Sequence, residues 1–229
     1  VVAVLKADPI ERFPTVRASK IPKSFVGRAG VFADIRNFLH SSEHSRLLIV
    51  GEAGVGKSAI ATALTESKRV EEMKARLIAS HVCSTTHHKT LSPSFFVKQI
   101  TSMCKESIGS ELKTKSVESI AALDALLDKT VVKDPIRSFA HGVLLPLARC
   151  RPPAGVPWCI VVDSMDESLE RLDGRTTVAS VLSHPIVVQA WPSWLKLICT
   201  SRPIESVLEY FPKSKRLDVT DSSNEGRRD

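Results

Sequence analysis

Five short apolar runs punctuate the chain: "RLLIV" (46–50), "RLIASHVC" (76–83), "WCIVVD" (158–163), "LKLICT" (195–200) and "KRLDVT" (215–220). Each is rich in branched residues and bounded by polar or turn residues, the pattern of strands buried on both faces of a parallel sheet. Between them the apolar positions recur at helical spacing. In "RAGVFADIRNFLH" (28–40), Val31, Phe32, Ile35, Phe38 and Leu39 fall at i, i+1, i+4, i+7 and i+8, an amphipathic helix. Further helices are expected at 57–68, 93–108, 117–129, 134–149, 176–190 and 203–210. Strands alternating with helices predict an α/β fold, an open parallel sheet with helices on both faces.

The ends of the 229-residue chain read differently. Residues 1–23 carry prolines and little periodicity, so they read as an N-terminal linker. Residues 24–220 form the expected folded unit, and 221–229 read as a linker cut off before a following segment. The chain does not begin with Met, which suggests a piece of a longer protein.

Hydrophobic residues make up 43% of the chain and charged residues 25%, ordinary values for a globular domain with a real core. No apolar run reaches the roughly 18–20 residues of a membrane helix, and "VVAVLKADPIERFP" lacks the basic start, long apolar centre and cleavage site of a secretory signal. Five scattered cysteines without a C-x-x-C pair suggest reduced thiols and a cytoplasmic setting. The net charge of +7 raises the possibility of a nucleic-acid partner. Lys and Arg are spread along the whole chain with no aromatic-interleaved patch, so nucleic acid is not the expected partner.

The first strand runs straight into "GEAGVGKS" (51–58), where Gly51, Gly56, Lys57 and Ser58 fit G-x-x-x-x-G-K-[ST]. At average composition this pattern arises by chance in a chain this long about one time in a hundred. Here it also sits between a strand and a helix, as the chemistry requires. A loop formed by Gly51, Glu52, Ala53, Gly54, Val55 and Gly56 can turn successive N–H groups toward a phosphate, and the helix start adds positive potential. Lys57 is placed to neutralise terminal phosphate oxygens, and the Ser58 hydroxyl to bind Mg²⁺.

"CIVVDSMDE" (159–167) supplies the complementary half. Asp163 ends a buried strand, where open α/β sheets bind ligands, and is expected to bind the metal with Ser58. Asp166 and Glu167 can orient or deprotonate an attacking water. "LKLICTSR" (195–202) ends in Arg202, which can reach a terminal phosphate from its strand end.

Taken together, "FVGR" (25–28), "GEAGVGKS", "CIVVDSMDE" and "ICTSR" resemble the STAND branch of P-loop NTPases, and within it the NACHT group. "DPIRSFAHGVLLPL" (134–147) and "WPSWLKLICTSR" (191–202) resemble the NTPase region of TANC-type and related ankyrin-repeat scaffolds. The resemblance implies a three-layer ASCE/STAND fold with about five strands in the order 5-1-4-3-2. It places Val26, Gly27 and Arg28 near adenine and ribose, makes Arg202 the sensor of the terminal phosphate, and makes ATP, ADP and Mg²⁺ the ligands. It further implies slow hydrolysis, self-association in the ATP state, and protein partners bound through flanking repeat domains. Where the family usually has glycine after the metal aspartate, this chain has Ser164. The rival readings are a module that holds nucleotide without cutting it and a DNA-linked ATPase of the AAA+ type, which can also show "VGR" and a phosphate loop.

Other clusters carry less. His81, Cys83, His87 and His88 gather in "HVCSTTHHK", but their spacing matches no standard zinc pattern. Cys199 reads as a small core residue. "RPPAGVPW" (151–158) reads as a connector, and Trp191 and Trp194 as plugs at the core edge.

Overall fold

The computed structural model describes residues 28–65, 71–129, 132–170 and 176–220. Both expected linkers, together with Val26 and Gly27, lie outside the described residues. Five strands, β1 (Arg46–Val50), β2 (Arg76–Val82), β3 (Trp158–Asp163), β4 (Leu195–Ser201) and β5 (Lys215–Asp218), form one parallel sheet. Their order is β2-β3-β4-β1-β5, the expected order read from the other edge. Every residue of β3 and β4 is buried, as near-continuous apolar runs require at the centre of a covered sheet. The edge strand β5 alternates between half-buried and exposed positions.

Strand periodicity divides the apolar residues between two cores. Leu48, Val50, Ile160, Val162, Leu197 and Cys199 face the larger core, and Leu47, Ile49, Cys159, Val161 and Ile198 the smaller. Successive side chains point to opposite faces, so one set of strands closes both. Helices α1 (Ala29–His40) and α2 (Lys57–Thr65) cover the smaller core through Ile35, Phe38, Ile60 and Leu64. Over the larger core lie α3 (Pro93–Lys115) and α4 (Val117–Leu127), α5 (Pro135–Phe139), a π-helical turn (Ala140–Leu144) and α6 (Leu145–Ala148). Helices α7 (Val178–Ser183), α8 (Pro185–Ala190) and α9 (Glu205–Tyr210) complete that layer.

Three helices depart from expectation. The helix predicted over 93–108 continues to Lys115, because Ile108 and Leu112 extend its buried stripe. The one predicted over 134–149 is interrupted by the π turn, where a Cβ on Gly142 would come within 2.2 Å of Leu126 Cδ1. The close approach of α4 at this point means that any larger residue would require the Leu126 side chain to shift. The helix predicted over 176–190 is two helices. Pro185 has no N–H to donate, and His184 before it is extended (φ −60°, ψ 136°), as a residue preceding proline prefers. Thr177 and Ser180 close a reciprocal capping box at the start of α7.

Candidate phosphate-binding site

The carboxyl ends of β1, β3 and β4 bring the three expected motifs together. The loop 51–56 leaves β1 and enters α2 at Lys57. Gly54 and Gly56 hold φ values of +83° and +89°, a region closed to most side chains. Close approach constrains Gly51 instead: a Cβ there would lie 2.5 Å from the Val219 carbonyl oxygen and 2.8 Å from Val55 Cγ2.

Lys57 folds its ammonium back over the loop, donating to the carbonyls of Gly51 and Glu52, both at 2.7 Å. Desolvation lowers its pKa, opposed by the nearby Asp166 and Asp163 carboxylates. Asp163 is buried at the end of β3, and burial raises its pKa. The hydrogen bond from the Thr200 hydroxyl, with the neighbouring Ser58 hydroxyl and Ser164 N–H, opposes that rise. Ser58 and Asp163, the expected metal pair, are thus neighbours at this edge. Thr200 also accepts from the Ser164 N–H at 3.0 Å, which fixes the turn after the strand.

That turn passes through the left-handed region at Ser164 (φ 57°, ψ 51°) and enters a 3₁₀ turn over Met165–Leu169. Asp166 and Glu167 therefore leave the strand end in different directions. Asp166 is buried and engages Arg202 twice, accepting from its backbone N–H at 3.1 Å and from its Nε. Glu170 holds Nη2 of the same guanidinium at 3.2 Å. These acids raise the pKa of Arg202, chiefly through the Asp166 hydrogen bond. Glu167 reaches instead to the loop after β2, where its Oε2 accepts from the Thr85 N–H at 2.7 Å and the Thr85 hydroxyl at 3.0 Å.

Arg28 precedes α1 and lies against the loop: its Nη2 donates to the Val55 carbonyl, and a Cβ on Gly56 would sit 3.2 Å from that nitrogen. Its Nη1 is buried without a hydrogen-bond partner, a donor that costs stability unless something accepts from it. A looped backbone with left-handed glycines, a desolvated ammonium, this unpaired donor and a hydroxyl–carboxylate pair fit a nucleotide phosphate with its divalent ion.

Sequence reasoning placed Gly51 to Ser58, Asp163, Asp166, Glu167 and Arg202 at this edge, and the structure brings them together. It did not single out Thr85 or Glu170, and it gave Thr200 no role. Thr85 is 82 residues from Glu167, and only the adjacency of β2 and β3 joins them. The Thr–Ser–Arg end of β4 was the visible hint for Thr200. His81, from the set weighed for zinc, points into the core with both ring nitrogens engaged, by Gln99 at 2.7 Å and the Thr90 carbonyl at 2.8 Å. Burial lowers its pKa.

This arrangement defines a P-loop NTPase domain. Residues 24–187 match the AAA ATPase domain family, and the chain belongs to that family. Among solved structures it is similar to a Walker-type ATPase of Pyrococcus abyssi, at 15% identity and a TM-score of 0.51, covering 86% of this chain and 55% of that one. The Aeropyrum pernix ORC2 protein, solved as ADPNP–ADP complexes, aligns at 12% identity and a TM-score of 0.47, covering 89% of this chain and 50% of that one. The chain therefore spans about half the length of these structures. Among the described residues no helix is long and apolar enough to cross a membrane.

Proposed function

We propose that this chain is the ATP- and ADP-binding NTPase domain of a STAND protein of the NACHT type, a slow nucleotide-controlled switch within a larger signalling or scaffold protein. The observation that carries the reading is the grip of Asp166 and Glu170 on Arg202. It ties Asp166 of "DSMDE" (163–167), and Glu170 just beyond it, to the arginine placed to sense a terminal phosphate.

In this reading the loop 51–56 and Lys57 hold the β- and γ-phosphates, with Arg28 donating from the α1 side. Ser58 and Asp163 would hold Mg²⁺, which when bound neutralises charge on the phosphate oxygens. Glu167 orients the attacking water, and Arg202 stabilises charge that develops on the terminal phosphate. Asp166 acts as a positioning residue for Arg202. Because Arg202 is already held by two acids, contact with a γ-phosphate competes with an existing ion pair, which suits a sensor of nucleotide state better than a fast catalyst.

A second reading, a module that holds nucleotide without cutting it, draws support from the commitment of the Glu167 carboxylate to Thr85. A single-turnover assay separates the two, with excess protein, Mg²⁺ and trace γ-labelled ATP, following bound label and released phosphate together. The switch reading expects binding with slow release, release lost in Glu167→Gln, and both lost in Lys57→Ala. Binding without release would favour the holding module. Unchanged affinity in Lys57→Ala would remove the site itself.

A further inference from the structure

At the opposite end of the sheet, before the amino ends of β1, β3 and β4, lies a basin of about 640 Å³. Its walls are the end of α1 and the turn after it, the connector 151–157, and the segment 192–194 that leads into β4. None of its lining residues is acidic, whereas His40, Arg151 and Lys196 are basic.

Lys196 forms its buried floor: its ammonium donates to the Ser41 carbonyl and, at 2.6 Å, to the His44 carbonyl, and lies 5.2 Å from the centre of the Phe38 ring. No carboxylate neutralises it among the described residues. Glu43, which lies between the two residues whose carbonyls Lys196 clamps, is largely exposed and pairs with His44 at 3.7 Å. His40 is engaged at Nε2 by the Met73 carbonyl. Arg151 stands exposed on the rim, without an ion-pair or hydrogen-bond partner among the described residues.

Four lining positions are prolines, 152, 153, 157 and 192, and none can offer an N–H to an anion. The carbonyls of Pro153, Pro157 and Pro192 are occupied by the N–H groups of Val156, Arg76 and Leu195. The prolines thus present apolar surface to the basin, extended by Trp194, whose ring meets Trp158 edge-on at 5.5 Å. A free phosphate needs converging N–H donors, and the four prolines supply none. A carboxylate meeting one rim guanidinium, beside an apolar side chain on proline and tryptophan surface, fits it well.

We propose that this basin docks an acidic extended segment of a partner protein, with a Glu or Asp on Arg151 and a neighbouring apolar side chain against Trp194. Lys196 and the carbonyls it clamps set the positive floor beneath. The site is independent of the nucleotide site and lies at the other end of the same strands, so a partner could occupy it whatever the phosphate loop holds.

The test is selection of a random 12-residue peptide library on the purified protein, followed by titration of a labelled selected peptide by fluorescence polarisation. The expected result is enrichment of Asp or Glu next to an apolar residue. Arg151→Glu should weaken the selected peptide at least tenfold, and Trp194→Ala should do the same. Arg151→Glu changes an exposed side chain, so nucleotide affinity measured alongside should stay at the wild-type value. Absence of enrichment, selected peptides without an acidic excess, or equal binding to Arg151→Glu would overturn the proposal. Displacement of the peptide by millimolar inorganic phosphate would also overturn it, by showing a general small-anion site.

Discussion

Gly51→Ala tests most directly how the phosphate loop is built. The added Cβ would lie 2.5 Å from the Val219 carbonyl oxygen, where real contacts stay beyond 3.0 Å. Backbone must therefore retreat by at least about 0.5 Å. Val55 Cγ2, at 2.8 Å, can yield by rotation, but the Val219 carbonyl cannot. The Val219 N–H is bonded to the Val50 carbonyl at 2.7 Å, and the Gly51 N–H to the Ser201 carbonyl at 3.3 Å, so the clash is pinned from both sides. Overpacking of this kind costs about 1–3 kcal/mol. The variant should lose that much in urea denaturation and should bind nucleotide more weakly, because relief comes by moving the first residue of the loop. Gly30→Ala is the control: nothing lies within 4 Å of its Cβ in α1, and it should be neutral or gain up to about 1 kcal/mol. If Gly51→Ala unfolds within about 0.5 kcal/mol of wild type, the rigid contact between the loop and the end of β5 is not real.

Other consequences are equally specific. Ser164 sits at φ 57°, where a β-branched residue is strained by about 1–2 kcal/mol. Ser164→Val should therefore lower stability by at least about 1 kcal/mol, whereas Ser164→Gly should be neutral or slightly stabilising in the same denaturation assay. Glu111 pairs with Arg76 at 2.5 Å, and that hydrogen bond is the main reason its pKa lies below 4.5. A depressed carboxylate contributes stability above its ordinary pKa and loses it as pH falls through the folded value. Wild type should thus show a steeper loss of stability below about pH 4.5 than Glu111→Gln. The difference should stay under about 1 kcal/mol, because both side chains are more than a third exposed. All five cysteines are free and buried, with Cys104, Cys159 and Cys199 pushed up to about 12 by burial. A thiol reagent at pH 8 should label none of these three until denaturant is added, and prompt labelling of the native protein would contradict the packing.

Much of this molecule was legible before folding, and the reason is local. The branched runs that became β1, β3 and β4 carry their own burial signal. The spacing of Gly51, Gly56, Lys57 and Ser58 is a short-range pattern that a strand–turn–helix must express in one place. Pro185 was also a visible signal of the break between α7 and α8, which the expectation of a single helix over 176–190 passed over. The strand order came from a family likeness and not from periodicity, which says nothing about neighbours. What only the tertiary structure decided are relations between residues far apart in the chain. Glu167 meets Thr85 because β2 lies beside β3, Asp166 turns to Arg202 because Ser164 goes left-handed, and Arg28 lies on the loop because α1 shares the smaller core with α2, the helix the loop enters. The basic basin is likewise invisible in sequence, since it exists only where three connectors converge at the amino ends of the strands. Spacing along a chain specifies what each residue can do, and packing specifies which partner it does it with.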